Sequence, residues 1–576
     1  MKKSALWVFA LSMGMAAPAM AQTVPDSGQL LNQQQQRLEN QQFERLEQPS
    51  AEPQKLPPSG GPAVMVKRFH FTGIDGLATD AELQSLLARF IGQKLDFAGL
   101  QAATDTVTAY LRKQKGWPLA QAYLPKQDVT NGNIEIAVTK GRIESNGAVI
   151  TAPAVRLSQN IIKKTVDGAL PANNATPSQA DLERAVLLIN DMPGMKARST
   201  LERGSEPGTT RYNVNVEEGP WVTGSVDANN FGNRYTGTWA ITPTVNLNDP
   251  LGIGDQLTIS GTNSEGSGLR LMRLGYSLPV GTGGLRLFTS YSRLLYQLDA
   301  TITDTDSNGL AETADVGLTY PVIRSRAFSL WTGATYTHKA LRDKVSQIET
   351  TDRSLNNFTG NISASATDAF AGGGMTSLML AVTSGDLDRS GNAGDLASDQ
   401  TTARSDGRFV KATASAARLQ RVTDNTSVFG TVRGQIANKN LDSSEKFILG
   451  GPAGIRAYPI GEASGDDGWL VNLELRYDVP AQTPLGKLQL LGFVDMGGIR
   501  LNHDEWTGAV TTATGKNEYT LSGAGIGANI SGGGLYELRT SWAHSMGGNP
   551  GRSTRGDNAD GRDYNQTFWV QGLVRF

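Results

Sequence analysis
Cysteine is absent from all 576 residues, and histidine occurs only four times. The first absence excludes disulfides, thiolate-ligated zinc, iron–sulfur clusters and thiol catalysis. The second, with His70, His338, His503 and His544 scattered along the chain, leaves little for a histidine metal site or a histidine-dependent triad. Charged residues amount to 19%, and 53 Lys+Arg nearly cancel 55 Asp+Glu, so no basic surplus points to nucleic acid. Past the first residues there is no run of ~20 mostly apolar residues, the length a spanning helix needs. No catalytic constellation stands out, so neither an enzymatic step nor a cofactor is expected. Glycine, by contrast, is abundant at 66 residues, and the chain is long enough for several domains.

Six segments follow along the chain. Lys2 and Lys3 precede an apolar run from Ala5 to Ala17, and Ala19-Met20-Ala21 closes it. That is the pattern of a secretory signal peptide over 1–21, too short for an anchor. Residues 22–47 follow, of which 29–47 are good helix formers with sparse apolar residues, Leu30, Leu31, Leu38, Phe43 and Leu46. Such a helix cannot face lipid and has no large core face. Its length of about 28 Å is close to the height of a membrane barrel. Residues 48–63 form a Pro-rich, extended tether. Two β-α-α-β-β units then repeat over 64–140 and 141–219. In the first, Thr79-x-x-Glu82 opens a helix as a capping box; in the second, a strand is expected over 142–150.

From 220 to 576 the helical period gives way to alternation. Trp469, Val471, Leu473, Leu475 and Tyr477 share one face of a strand whose other face carries Asn472, Glu474, Arg476 and Asp478. Lipid outside and a wet lumen inside would produce that pattern. Sixteen such strands are expected in this region, with tight turns such as 279–284, 321–325 and 531–533 after even strands. Longer polar loops (297–311, 385–407, 439–466, 500–516, 546–563) follow most odd ones. The fold class is therefore mainly β, a 16-stranded transmembrane barrel preceded by a helix and two small α/β domains, which must span as a closed barrel. The final residues alternate through Phe568, Val570 and Val574 to Phe576, an assembly signal at the C-terminus. Trp469, Trp542 and Trp569 read as interfacial girdle residues.

The loop 439–466 contains Gly450-Gly451-Pro452-Ala453-Gly454-Ile455-Arg456-Ala457-Tyr458-Pro459, and the thirteenth strand contains Gly492-Phe493-Val494-Asp495-Met496-Gly497. With these, the sequence resembles the two-partner secretion transporters, the hemolysin secretion/activation family of the POTRA-barrel superfamily. Its members carry a V-R-G-Y-type motif on the sixth extracellular loop and G-F-x-D-x-G on the thirteenth strand. The resemblance spans nearly the whole mature chain: plug helix, linker, two periplasmic POTRA domains and barrel. It implies that Gly454, Ile455, Arg456, Ala457 and Tyr458 form a gating motif on a loop folded into the lumen. Arg456 would meet Asp495 in a wall motif of Gly492, Phe493, Asp495 and Gly497. A carboxylate at membrane depth needs a partner, and arginine can hold one bidentately. Alternation puts Leu491, Phe493 and Asp495 on one face, which a bulge near Gly492 would reconcile with an inward Asp495. Ala457 stands where the family has glycine, which questions any tip conformation with positive φ there.

Asp304, Asp306, Asn308, Glu312 and Asp315 match the acidic positions of a calcium loop. Without flanking helices they read as an Asp/Asn/Gly-rich extracellular turn, and no metal is expected. The resemblance implies an outer-membrane pore of a Gram-negative bacterium, a type V secretion system, with periplasmic N-terminal domains. Its partners would be a secreted exoprotein of adhesin, cytolysin or toxin type, outer-membrane lipid, and the barrel-assembly machinery during biogenesis. A barrel-protein insertase shares the plan and is the alternative; a passive porin would need neither plug nor periplasmic modules.

Overall fold
The computed structural model describes residues 24–44, 64–125, 127, 131–144, 147–171, 176–205, 209–303, 305–481 and 483–576. The expected leader, linker and Asp304 lie outside the described residues, as does the end of the expected helix beyond 44. The helix itself runs Ser27–Glu44.

In the first module Arg68–Thr72 pairs in parallel with Asn133–Thr139, which pairs antiparallel with Gln121–Tyr123. Thr79 and Glu82 close the capping box at the start of helix Asp80–Leu87. This helix and Phe97–Lys113 bury Leu83, Leu87, Val107 and Leu111 against Phe69, Ile134 and Ile136. The second module is built on Thr209–Glu218, antiparallel to Met195–Arg203. Its opening segment is not one strand but two, Arg142–Ile143 and Val149–Thr151. The chain turns between them at Gly147, whose φ is 75° and whose N–H donates to Glu144 O.

Sixteen antiparallel strands close a barrel, from Val222–Asn229 to Gln566–Arg575. Along the twelfth strand, Asp467–Asp478, Leu473 and Leu475 stand outward while Leu470 and Glu474 are buried inside. The sixth, seventh and eighth strands (Ser307–Arg324, Phe328–Val345, Ile348–Asp368) run well beyond their neighbours. Asn308, Glu312 and Asp315 therefore belong to the sixth strand and not to an acidic loop. Glu312 and Asp315, three residues apart, fall on opposite faces. Glu312 accepts from Tyr291 and Asp315 from Ser290 and Thr337. Among the described residues no cluster of metal-ligating side chains is present. The closing seam is short, from Ser225 opposite Arg575 to Asn229 opposite Gln571. Gly224 and Phe576 extend it by exchanging main-chain hydrogen bonds of 2.9 and 3.0 Å.

The second module is fastened to the short turns. Arg184 on helix Gln179–Asn190 donates to the carbonyls of Pro321 and Gly283, and Arg324 pairs with Asp191 at 2.7 Å. This marks the near end of the barrel; the turn at Ser346–Gln347 lies at the far end.

Candidate functional site
Loop 439–466 leaves the far end and folds back into the lumen. Its tip packs on the wall through Leu449, Ile455, Ala457 and Tyr458, against Leu491, Phe493, Tyr519 and Leu521. Because the loop brings an apolar surface of its own, the thirteenth strand, Lys487–Arg500, can point Leu491 and Phe493 inward together with Asp495. Leu490, Val494 and Met496 face outward. Its register with both neighbours is unbroken, so the bulge expected near Gly492 is absent. Gly492 itself lies on the outer face, with open space where a Cβ would be.

Arg456 is brought onto Asp495. Its Nε and backbone N–H donate to Asp495 Oδ2 at 2.9 and 3.0 Å, and Nη2 donates to Oδ1 at 2.7 Å. Nη1 donates to Glu474 Oε1 at 2.6 Å, and the guanidinium lies 3.5 Å from the centroid of the Phe493 ring. One cation thus binds two carboxylates and an aromatic face, the arrangement that a planar fork permits and an ammonium does not. Burial alone would lower the Arg456 guanidinium, but Asp495 and Glu474 outweigh it and hold it above its ordinary value. Asn472 links wall and loop, donating to Asp495 Oδ1 and to Gly454 O at 2.8 Å each.

Close approach depends on glycines. A Cβ at Gly454 would collide with the carbonyl of Leu449, and one at Gly523 with the Cβ of Ala457. Ala457 is buried and is not among the residues of positive φ. In this loop, left-handed backbone falls instead at Gly451, Gly461 and Ala463. Gly497 lies under Leu449, again where a side chain would not fit. Tyr458 is buried beside the tip, whereas Phe576 sits at the seam with its side chain exposed.

Trp569 departs from the girdle expected of it. It is buried and donates from Nε1 to Arg456 O at 2.7 Å; Thr567 donates to the same carbonyl. Period two would have revealed this, since Phe568 and Val570 face outward and Trp569 must alternate with them. Trp469 and Trp542 are exposed on the outer face. Glu462, also missed, is buried on the loop's return; it accepts from Asn549 Nδ2 at 2.8 Å and Ala559 N at 2.7 Å.

The helix Ser27–Glu44 lies in the lumen with its start at the far end, where Ser27 N donates to Asp343. Arg353 on the eighth strand binds Asp26 at 3.0 Å, Asp343 at 2.9 Å and Asp442 at 2.7 Å. Asn32 Nδ2 donates to Lys446 O at 2.6 Å, and Arg37 meets Asp227 at 2.5 Å. Glu445, at the base of the loop, is held by Lys339 and Lys411 at 2.8 Å each. The helix has more core face than its composition suggested: Leu30 and Leu31 are buried among inward-facing apolar side chains. Beside it a water-accessible cavity of about 290 Å³ opens beneath the loop tip, bordered by Gln36, Arg433 and Arg476.

A sequence model of the haemolysin secretion/activation proteins ShlB/FhaC/HecB matches residues 208–530, and one of the ShlB-type POTRA domain matches 64–141. The heme/hemopexin transporter protein HuxB of Haemophilus influenzae is 25% identical over 505 residues, covering 86% of this chain and 84% of that protein. The outer membrane transporter CdiB of Escherichia coli is 26% identical over 511 residues, covering 85% and 83%. In fold, the chain is similar to the solved structure of CdiB from Escherichia coli: TM-score 0.68 at 22% identity, covering 97% of this chain and all of that one.

Proposed function
The chain belongs to the haemolysin secretion/activation family ShlB/FhaC/HecB, and from that premise we propose the route by which it passes its cargo. It is a two-partner secretion transporter of the outer membrane with periplasmic N-terminal domains, and it exports a partner exoprotein. In our reading the exoprotein reaches the periplasm unfolded, after a leader over 1–21 has directed the transporter itself there. Edge strands of the two modules, such as Gln121–Tyr123, add an extended segment by main-chain hydrogen bonds. Exposed Met65, Phe97 and Tyr123 offer it apolar contacts.

The helix Ser27–Glu44 acts as the resting plug, with 48–63 as its tether, and the Arg456 loop is the second closure. The observation that carries this reading is that neither element contributes a strand to the closed barrel: both sit in the lumen on side-chain contacts, with Arg353 of the wall gripping Asp26 beside the helix and Asp442 at the loop base. Each can therefore leave without unfolding the barrel. Transport requires no chemical step, and folding of the cargo outside draws it through. The names of relatives, a heme/hemopexin transporter and a hemolysin transporter, suggest a cargo among large surface or secreted exoproteins of adhesin, cytolysin or toxin type.

Two measurements test this. Deleting 24–44 should raise resting conductance in planar bilayers; unchanged closure would end the plug assignment. In a deletion strain, one or a few large proteins should vanish from the medium with other outer-membrane barrels unchanged. General loss of barrels would move the protein to the insertases.

A further inference from the structure
The lumen of a water-filled barrel is ordinarily polar, yet part of this one is not. Leu271 lies opposite Leu294, Leu294 opposite Ala311, and Ala311 opposite Leu341 on successive strands, all pointing inward. On the eighth strand Arg353 lies opposite Leu341, and Leu355 lies opposite Lys339, so two ion-paired cations are set into the belt; beyond them Leu355 lies opposite Leu387, and Phe409 continues it on the tenth strand. Leu294, Leu341, Leu355 and Leu387 are buried in one apolar cluster with Leu30 and Leu31 of the helix and Leu441 of the loop base. The belt therefore crosses seven strands near the far end of the barrel, on the path of a chain that leaves there.

We propose that this belt is a binding site for aliphatic and aromatic side chains of the translocating chain, and that the plug leaves by exchange with them. The inference rests on the helix being a plug. If the helix simply withdrew, the belt would face water near the exit of a conduit, at a cost proportional to its apolar area. Withdrawal is favoured only when other apolar groups take the place of Leu30 and Leu31. The cargo is the one other chain that enters the lumen, and an extended chain presents alternate side chains to one wall. Contacts of this kind grip without sequence specificity, because burial of apolar area is non-directional. They also seal the space around the moving chain. The charged contacts at Asp26 and Arg37 give no such seal, since each needs a particular partner.

The test uses the full-length protein in planar bilayers with two unstructured peptides added on the periplasmic side, one alternating leucine with serine and one of serine alone. The leucine peptide should open the wild-type channel and then block it, and the serine peptide should do neither. Leu355→Ser with Leu341→Ser should shorten the blocks at least about tenfold, roughly what 1.4 kcal/mol of binding represents. Equal block durations in wild type and variant, or equal action of the two peptides, would overturn the proposal. Should that variant fail to fold, Leu30→Ser with Leu31→Ser leaves the barrel untouched and should raise spontaneous opening; no rise would count against the exchange. Deletion of 24–44 separates the two levels. If the deleted channel stays shut, the plug assignment fails. If it opens but leucine blocks do not depend on the belt, only the exchange fails.

Discussion

Arg456 is the residue whose loss should be felt most. Its removal leaves Asp495 without its cation beneath an apolar loop, while Glu474 keeps Arg476, and breaking a buried pair from one side costs about 3–5 kcal/mol. Arg456→Ala should release the loop, seen as larger and noisier conductance with the barrel still folded. Arg456→Lys should recover little of the closure, because an ammonium cannot engage both carboxylates in the same plane. Trp569→Phe removes a single donor to the Arg456 carbonyl and should weaken the closed loop by about 1 kcal/mol. Arg456 and Asp495 were legible as a motif, but Trp569 and Glu474 were not. A tryptophan near a membrane boundary reads as a girdle residue until its alternation with Phe568 is counted. Glu474 was visible only as one of several polar residues on a lumen face. Their roles depend on where a distant loop comes to rest, which no local pattern specifies.

Among the elements, the loop is held at its base and at its return by carboxylates that respond to acid in opposite senses. Burial pushes Glu462 up to about 7, against the hydrogen bonds from Ala559 and Asn549, with Asp560 adding to the rise. In the closed loop it is neutral below that point, whereas an opened, hydrated glutamate ionises near 4.5. The hold is therefore complete below the ordinary value and declines as pH rises to about 7. Burial would also raise Glu445, but Lys339 and Lys411 prevail and draw it down to about 2. That contact is intact above the ordinary glutamate value and weakens only as pH falls toward about 2. Channel opening should accordingly increase between about pH 4.5 and 7, and Glu462→Gln should make that range flat. The sixteen strands could be read from sequence because lipid writes an apolar residue at every second position. The upper parts of the sixth to eighth strands could not, since they rise past the lipid and carry polar residues on both faces, such as Thr351 inward and Asp352 outward. The inward Leu491 and Phe493 misled for the converse reason: a loop folded onto them supplies an apolar interior where water was expected.

At the scale of the whole molecule, the outer face is anchored by lipid and the near end by the second module. Leu473→Arg, on the outer face, should destabilise the barrel by about 2–4 kcal/mol in refolding from urea into vesicles. Arg324→Ala removes the clamp on Asp191 and should speed proteolysis between module and barrel without changing barrel stability. The seam between Val222–Asn229 and Gln566–Arg575 has a further consequence. It joins the first and last strands over five paired residues, fewer than any other junction of the wall, so the cylinder parts most easily along this line. A wall with one weak stave opens sideways before it opens anywhere else.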